Sequence, residues 1–398
     1  MMAAVPRLTF ADGGKRVLPW FRRMRDDQPV WYDQGTKSWN VFRYADIAQI
    51  LKDPVTFSSD PGRSMPPELA EEAEGSLVAV DPPRHTRLRG LISAAFTPRL
   101  VEQLAPRVRS IGELLLNRAF VDRRVEGEFD IIGDLAYLLP VYVIGELLGL
   151  PESDRGYLVR AADEFYAISA DDPFDGAYMA SMQSTLDELG SYMLDHAERR
   201  RAKPGDDLIS ALAHAEIDGE RLNDREIRNF AILLLTAGHI TTTALLGNTL
   251  LALGERQDIM LRWRQGQVDT AILLEEVLRH RTPFTEVYRF TTTEVTIGNQ
   301  VVPGDQLLRL WIASGNRDER QFADPDTFVL GRDSKHLGFG LGIHYCLGAS
   351  LARMESSVVL GLLAERTTSL APAVEALSYY DAPGIFCLRS LPVSYRRT

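Results

Sequence analysis

Ten residues constrain this chain more than any other stretch: Phe339-Gly340-Leu341-Gly342-Ile343-His344-Tyr345-Cys346-Leu347-Gly348, followed directly by a helical run from Ala349 to Leu363. Glycines around a lone cysteine, just ahead of a helix, describe a tight loop that presents its thiol near the helix N-terminus. There the unpaired N–H groups and the helix dipole favour thiolate over thiol. Glycine is needed where backbone must approach a flat, bulky group and donate to sulfur with no Cβ in between. By itself the loop also fits a small buried cysteine at a loop–helix junction, the use to which most lone cysteines are put.

The other cysteine, Cys387, lies in a strand-like Phe-Cys-Leu tail and reads as a small core residue. Two cysteines in 398 residues exclude a disulfide framework and a four-cysteine zinc site. Asp and Glu number 55 against 44 Lys and Arg, a net charge of −11 that leaves no basic excess for nucleic acid. Apolar residues at 45 % and charged residues at 25 % describe an ordinary globular chain. The first residues lack a signal-peptide layout, and no run approaches the roughly 18 uninterrupted apolar residues of a membrane span. The most apolar run, Phe230 to Ala237, reads as a buried helix. A cytoplasmic protein without membrane or nucleic-acid partners is expected.

No repeat or Gly/Ser linker divides the chain, and one large domain over residues 1–398 is expected. Helical spacing of apolar residues recurs over 16–27, 45–52, 84–95, 98–120, 130–148, 152–170, 175–202, 206–215, 224–253 and 270–280. Strand-like alternation is confined to 29–32, 38–42, 287–293, 295–297 and 301–302, with a hairpin expected over 384–395 around Ser390-Leu391-Pro392. Residues 315–335 look like a long ordered meander. The fold class is therefore mainly α, with small marginal sheets.

With further motifs added, the chain resembles the cytochrome P450 family. Phe339, Gly342, His344, Cys346 and Gly348 match its Phe-x-x-Gly-x-His-x-Cys-x-Gly loop, and Glu276 with Arg279 match its Glu-x-x-Arg pair. Ala237, Gly238, Thr241 and Thr242 match an Ala-Gly-x-x-Thr-Thr stretch, and Asp81 to Arg89 resembles the helix with His and Arg four apart. The resemblance runs from about Val30 to the C-terminus. It implies a single domain around a b-type haem with Cys346 as axial thiolate. His85, Arg89, Arg289 and His344 would hold the propionates, and Phe339 and Gly348 would belong to the haem loop. Glu276 and Arg279, three apart on one helix, would support that loop from behind. The family's third partner there is commonly an arginine, but Thr327 occupies the place; Asn316 or Arg317 are alternatives.

Ala237 and Gly238 would leave room for dioxygen in the helix spanning about 224–253, and Thr241, with Thr242 beside it, would hydrogen-bond oxygen at the iron. The family's usual acid before the Thr pair is Ile240 here. Protons could instead pass through Thr241, Thr242 and water, through His239 or Glu286, or from the substrate; impaired oxygen activation is a fourth reading.

Met65, Leu77, Val78, Leu234, Phe284, Val287, Ile385 and Phe386 would line the substrate pocket, with Glu286 and Arg63 as polar anchors. They suit a medium-sized, mostly apolar molecule with one or two polar handles. A polyketide, a macrolide-like ring, an aromatic acid or a carrier-protein-tethered acyl group would qualify, and hydroxylation or epoxidation is the expected reaction. No Gly-x-Gly-x-x-Gly is present, so electrons are expected from a separate ferredoxin and its reductase, with NAD(P)H used only indirectly. Arg99, Arg107, Arg109, Arg332 and Lys335 could form its docking patch. The competing reading is a non-catalytic ligand-binding or recruitment module, for which Ile240 and Thr327 are the only support.

Overall fold

The computed structural model describes residues 8–63, 76–120, 125–165, 176–333, 335–375 and 377–398. The chain divides into two compact units, one formed by residues up to Arg87, Glu275–Leu347 and Pro383–Phe386, the other by Leu88–Leu274, Gly348–Ala382 and Cys387–Thr398.

The first unit is built on a five-stranded sheet in the order Val30–Asp33, Ser38–Val41, Leu307–Leu310, Val287–Thr291, Phe57–Ser58. Leu308 and Leu310 are fully buried while Leu307 and Arg309 are not, the period of two that a strand with one covered face demands. They join Val41, Ile47, Ile50 and Leu337 in one apolar cluster. Trp20 of the Val17–Asp27 helix meets Phe42 edge-on, and Phe21 packs tilted against Phe42 and Trp311. The expected strands at 295–297 and 301–302 form a hairpin, Val295–Ile297 with Gln300–Val302, turned through Gly298 at φ +57°.

The second unit is helical around Asp224–Glu255, which begins with a capping box between Asn223 and Glu226. From Thr242 to Gly254 every residue is buried. This helix is long and apolar enough to cross a membrane, but 72 % of its most apolar window lies inside the protein, as a core helix requires. It packs against Leu138–Leu147, Gly176–Ala202 and Ala349–Arg366. Gly247 permits close approach to Ile132, whose Cδ1 would lie 2.6 Å from an added Cβ.

The C-terminal tail departs from the expected hairpin. Leu388–Ser390 pairs with Ser378–Tyr379, whereas Pro392–Arg397 lies between Thr367–Pro372 and Glu126–Asp130 in a separate sheet. The reason lies at Leu391, which is fully buried rather than exposed in a turn. Its N–H donates to Asp130 Oδ1 at 2.8 Å and its carbonyl accepts the Ile131 N–H at 3.1 Å, so the corner is pinned between two sheets.

Candidate functional site

The cysteine loop is closed by its own backbone. Cys346 N–H donates to the Phe339 carbonyl at 2.9 Å, Gly340 N–H to that of Leu337 at 2.8 Å, and Tyr345 N–H to that of Gly342 at 3.1 Å. Gly340 and Gly342 adopt φ of +70° and +71°, and a Cβ on Gly342 would lie 2.3 Å from the Leu51 carbonyl, so only glycine fits. The loop leaves Cys346 exposed, while Cys387 is buried and its thiol pushed up by burial. Cys346 is thus the one accessible thiol among the described residues.

Behind the loop, Arg279 Nε and Nη2 donate to the two oxygens of Glu276 at 2.8 and 2.7 Å, with both side chains buried. The other Arg279 donors take the carbonyls of Asn316, Pro325 and Thr327. Glu276 Oε1 also accepts Val329 N–H at 2.8 Å and Arg332 Nε at 3.3 Å. The third member of this network is therefore Arg332, five residues after Thr327, which contributes only its carbonyl. Arg317 is used elsewhere, on Asp326 at 2.8 Å and the His280 carbonyl at 2.7 Å, while Asn316 accepts Leu337 N–H on Oδ1 at 2.7 Å.

The predicted propionate holders gather in part. The rings of buried His85 and half-buried His344 meet edge-on with centroids 4.4 Å apart. His344 Nε2 lies 2.9 Å from Ser59 Oγ, and Asp81 accepts Ser59 N–H at 2.8 Å and the Ser58 hydroxyl. Arg289 is 8 % exposed and, among the described residues, hydrogen-bonds only the Tyr288 carbonyl, at 2.7 Å. Burial lowers its pKa to about 10, against the pull of the Asp81 charge. Arg89 lies one turn beyond His85 on the Arg84–Ala95 helix and is half-buried.

These residues fit a haem. A desolvated guanidinium with one neutral acceptor calls for an anion, which a propionate supplies. Exposed Cys346 offers the soft sulfur donor that a haem iron would take. A Cβ on Gly348, where the loop passes into the Ala349–Arg366 helix, would meet no heavy atom within 4 Å, which leaves room beside the loop. Half-buried Phe339 and His344 flank the same loop.

On the Asp224–Glu255 helix, Leu233, Leu234, Ala237, Gly238 and Thr241 form an unburied strip at spacings of one, three and one, then three residues. Thr241 Oγ1 donates to the Ala237 carbonyl at 2.6 Å, leaving its lone pairs free to accept. Thr242 is buried, and Thr243, also buried, bonds the Ala136 and His239 carbonyls. Ile240 is fully buried, so residue 240 does not belong to the strip. His239 is buried too; its Nε2 donates to the Tyr137 carbonyl at 2.9 Å, and burial lowers its pKa to about 4, leaving it neutral. Glu286 is held in both oxygens by Arg309, at 2.8 and 2.9 Å, so its carboxylate is committed to an ion pair.

One acid escaped the sequence reading. Glu355 of the Ala349–Arg366 helix is buried, its Oε2 has no hydrogen-bond partner among the described residues, and desolvation raises its pKa to about 8. Its signal was a carboxylate at i+4 from Leu351 and i−4 from Val359, on the apolar face.

The expected pocket residues separate. Phe284 pairs with Ile385 in a β-bridge, Phe386 N–H donates to the Pro283 carbonyl at 2.9 Å, and Thr285 N–H to that of Gly384 at 2.8 Å. Phe284 and Val78 are exposed, Leu234 and Val287 half-buried, and Leu77 and Ile385 buried. Phe386 is buried with its ring stacked on Phe10 at 4.5 Å, and Arg63 pairs with Asp305 at 2.9 Å. Met65 lies outside the described residues. Of the basic residues, Arg107 pairs with Glu146, Arg109 with Glu113 and Glu365, and Arg332 with Glu276; exposed Arg99 and Lys335 carry no ion pair among the described residues.

A family model described as Cytochrome P450 matches residues 171–368. Cyclomarin C epoxidase CymV of Salinispora arenicola is 44 % identical over 388 residues, 97 % of each chain. Erythromycin C-12 hydroxylase of Saccharopolyspora erythraea is 42 % identical over 351 residues, covering 86 % of this chain and 85 % of the hydroxylase. The structure of open cytochrome P450 EryK from S. erythraea superposes with a TM-score of 0.89 at 38 % identity, covering 97 % of both chains. With a thiolate loop, a buried Glu-x-x-Arg network and relatives alike over almost their whole length, this chain belongs to the cytochrome P450 family and is a monooxygenase.

Proposed function

We propose that this monooxygenase inserts one oxygen atom, by hydroxylation or epoxidation, into a medium-sized and mostly apolar natural product such as a polyketide, a macrolide-like ring or an aromatic acid. The observation that carries this reading is the accessible Cys346 in a chain 44 % identical to a protein named as an epoxidase. Support for the substrate class comes from the names of its relatives, which act on cyclomarin C and erythromycin. Phe284, Val287 and Leu234 offer apolar contact. Electrons come from a separate ferredoxin and its reductase in the cytoplasm, and a carrier protein presenting the substrate fits the same reading.

Cys346, Arg289, His344, His85 and Arg89 would hold the haem, which when bound supplies oxygen activation at an iron made electron-rich by thiolate. Arg289, buried with its charge, would gain an anionic partner in a propionate. Thr241 accepts a hydrogen bond from water at Oγ1 while its own hydroxyl stays anchored on Ala237, and so fixes where that water stands. His239 is neutral and Glu286 is committed to Arg309, so neither candidate offers a ready ionisable relay, and water bound to Thr241 carries the proton in this reading. The buried position of Ile240 makes the loss of an acid there compatible with turnover.

The test is an optical titration of the ferric protein with macrolides, aromatic acids and the same acids tethered to a carrier protein. A low-spin to high-spin shift is expected with at least one class, followed by an oxygenated product once ferredoxin and reductase are added. A shift confined to tethered acids makes the carrier protein a partner. Silence across the panel overturns the substrate class.

A further inference from the structure

Glu276 has a neighbour that the family motif does not use. Glu275, adjacent on the Thr270–His280 helix, lies with Oε2 3.0 Å from His336 Nε2, and the His336 side chain is only 5 % exposed. The opposite ring nitrogen, Nδ1, accepts the Gly338 N–H at 3.0 Å. A backbone N–H can only donate, so Nδ1 carries no proton; Nε2 carries it and donates to Glu275. The tautomer of His336 is thereby set by its two partners.

Gly338 is gripped from several sides. A Cβ there would lie 2.9 Å from the Leu278 carbonyl, 3.2 Å from His336 Nδ1 and 3.3 Å from Thr282 Oγ1. On one side of Gly338, Leu337 N–H donates to Asn316 Oδ1 at 2.7 Å; on the other, the Phe339 carbonyl accepts the Cys346 N–H at 2.9 Å. The path from Glu275 through His336 and the Gly338 peptide therefore ends on the backbone of the cysteine itself. It runs beside the Glu276–Arg279 path and joins the loop at a different residue.

We propose that His336, oriented by Glu275, is a positioning residue for the thiolate loop. Its Nδ1 sets the direction of the Gly338–Phe339 segment, and with it the carbonyl that holds Cys346. This rests on Cys346 being the haem ligand. Loss of a group bonded directly to a metal ligand typically costs about 10- to 100-fold in metal affinity or activity, and His336, one backbone link further back, is expected at the lower end of that range.

The two bonds of the ring can be separated by substitution. Asparagine at 336 places an amide oxygen where Nδ1 was, within reach of the N–H two residues on, but cannot reach Glu275. Glutamine reaches Glu275 but offers no acceptor to Gly338. The ferrous carbon-monoxide spectrum of the holoenzyme reads thiolate ligation as a strongly red-shifted Soret band. Wild type is expected to show that band and Cys346→Ser to lose it; a wild type without it overturns the thiolate reading and this proposal together. With wild type positive, His336→Asn is expected to keep the band and His336→Gln to convert most of it to the shorter-wavelength form. Equal behaviour of the two variants, in either direction, overturns the proposal. Glu275→Ala keeps the Gly338 bond and gives a second measurement: about tenfold faster loss of haem to an excess of apo-globin is expected at an unchanged melting temperature. Unchanged haem loss overturns the role of Glu275, and a fall in melting temperature without faster loss shows a merely structural pair.

Discussion

Under the proposed function Thr241 serves the chemistry, while Glu355 and His239 give the fold a pH response. Thr241 is the hydroxyl on the unburied strip of its helix, and its hydrogen bond to Ala237 fixes the rotamer with the lone pairs outward. Thr241→Ala removes the hydroxyl that would hold the proton-carrying water on that strip. Coupling of electron use to product should fall by an order of magnitude or more, with hydrogen peroxide made instead, while substrate affinity is kept. Coupling equal to wild type would show that the proton travels elsewhere. Glu355 keeps its proton in the fold up to about pH 8, whereas in the unfolded chain it ionises near its ordinary 4.5. Below pH 4.5 both states are protonated and nothing is lost. Between the two values, stability falls as pH rises, by at most about 1.4 kcal/mol per pH unit. Glu355→Gln should remove that slope, so the gap in melting temperature between variant and wild type widens from pH 5 to about 8. A constant gap would show that Glu355 is ionised in the fold. His239 acts in the opposite sense: buried neutral, it favours the fold above its ordinary 6.5, a contribution lost as pH falls through about 4.

Single side chains matter less than the elements that aim them. The Thr270–His280 helix holds the segment ahead of the cysteine loop through Glu275 on His336, while Pro325, Thr327, Val329 and Arg332 of the meander hold its Glu276–Arg279 pair. Removing Arg279 leaves Glu276 buried with most of its compensation gone. Arg279→Ala should therefore cost about 3–5 kcal/mol and prevent stable haem uptake. Arg332 contributes one of several bonds to the same carboxylate. Arg332→Ala should cost less than half as much by denaturant melting, and a cost equal to that of Arg279 would make the two equivalent. The Asp224–Glu255 helix divides its labour along its length, with its second half embedded in the core and its first half carrying the open strip.

At the scale of the whole molecule, a net charge of −11 would oppose the proposed ferredoxin if that protein is acidic, and docking would then rely on local cations. Sequence alone offered five. Arg107, Arg109 and Arg332 spend their charge on carboxylates of the same chain, which leaves Arg99 and Lys335. Charge reversal at Arg99 or Lys335 should raise the KM for ferredoxin severalfold at low salt, with the effect fading as the Debye length shrinks below about 10 Å. Reversal at Arg107 or Arg109 should change it by less than about twofold. The reverse ranking, read from reduction kinetics across a salt series, would place docking on the paired arginines.

Much of this protein was legible in its sequence because its strongest signals are local. The cysteine loop needs glycines at the positions where φ is positive, the central helix needs its apolar run, and Glu276 with Arg279 needs only a spacing of three. Each is a property of a few consecutive residues, so the chain itself determined the helices, the accessible thiol and the family. What depended on residues far apart could not be read this way. Arg332 replaced the expected partner at 327, the tail split between two sheets because Asp130 captures Leu391, and the Glu286 carboxylate was taken by Arg309. The buried state of Glu355 and the tautomer of His336 belong to the same class. Hydrogen bonds and desolvation depend on which groups the fold brings within about 3 Å, and that choice is made by tertiary packing.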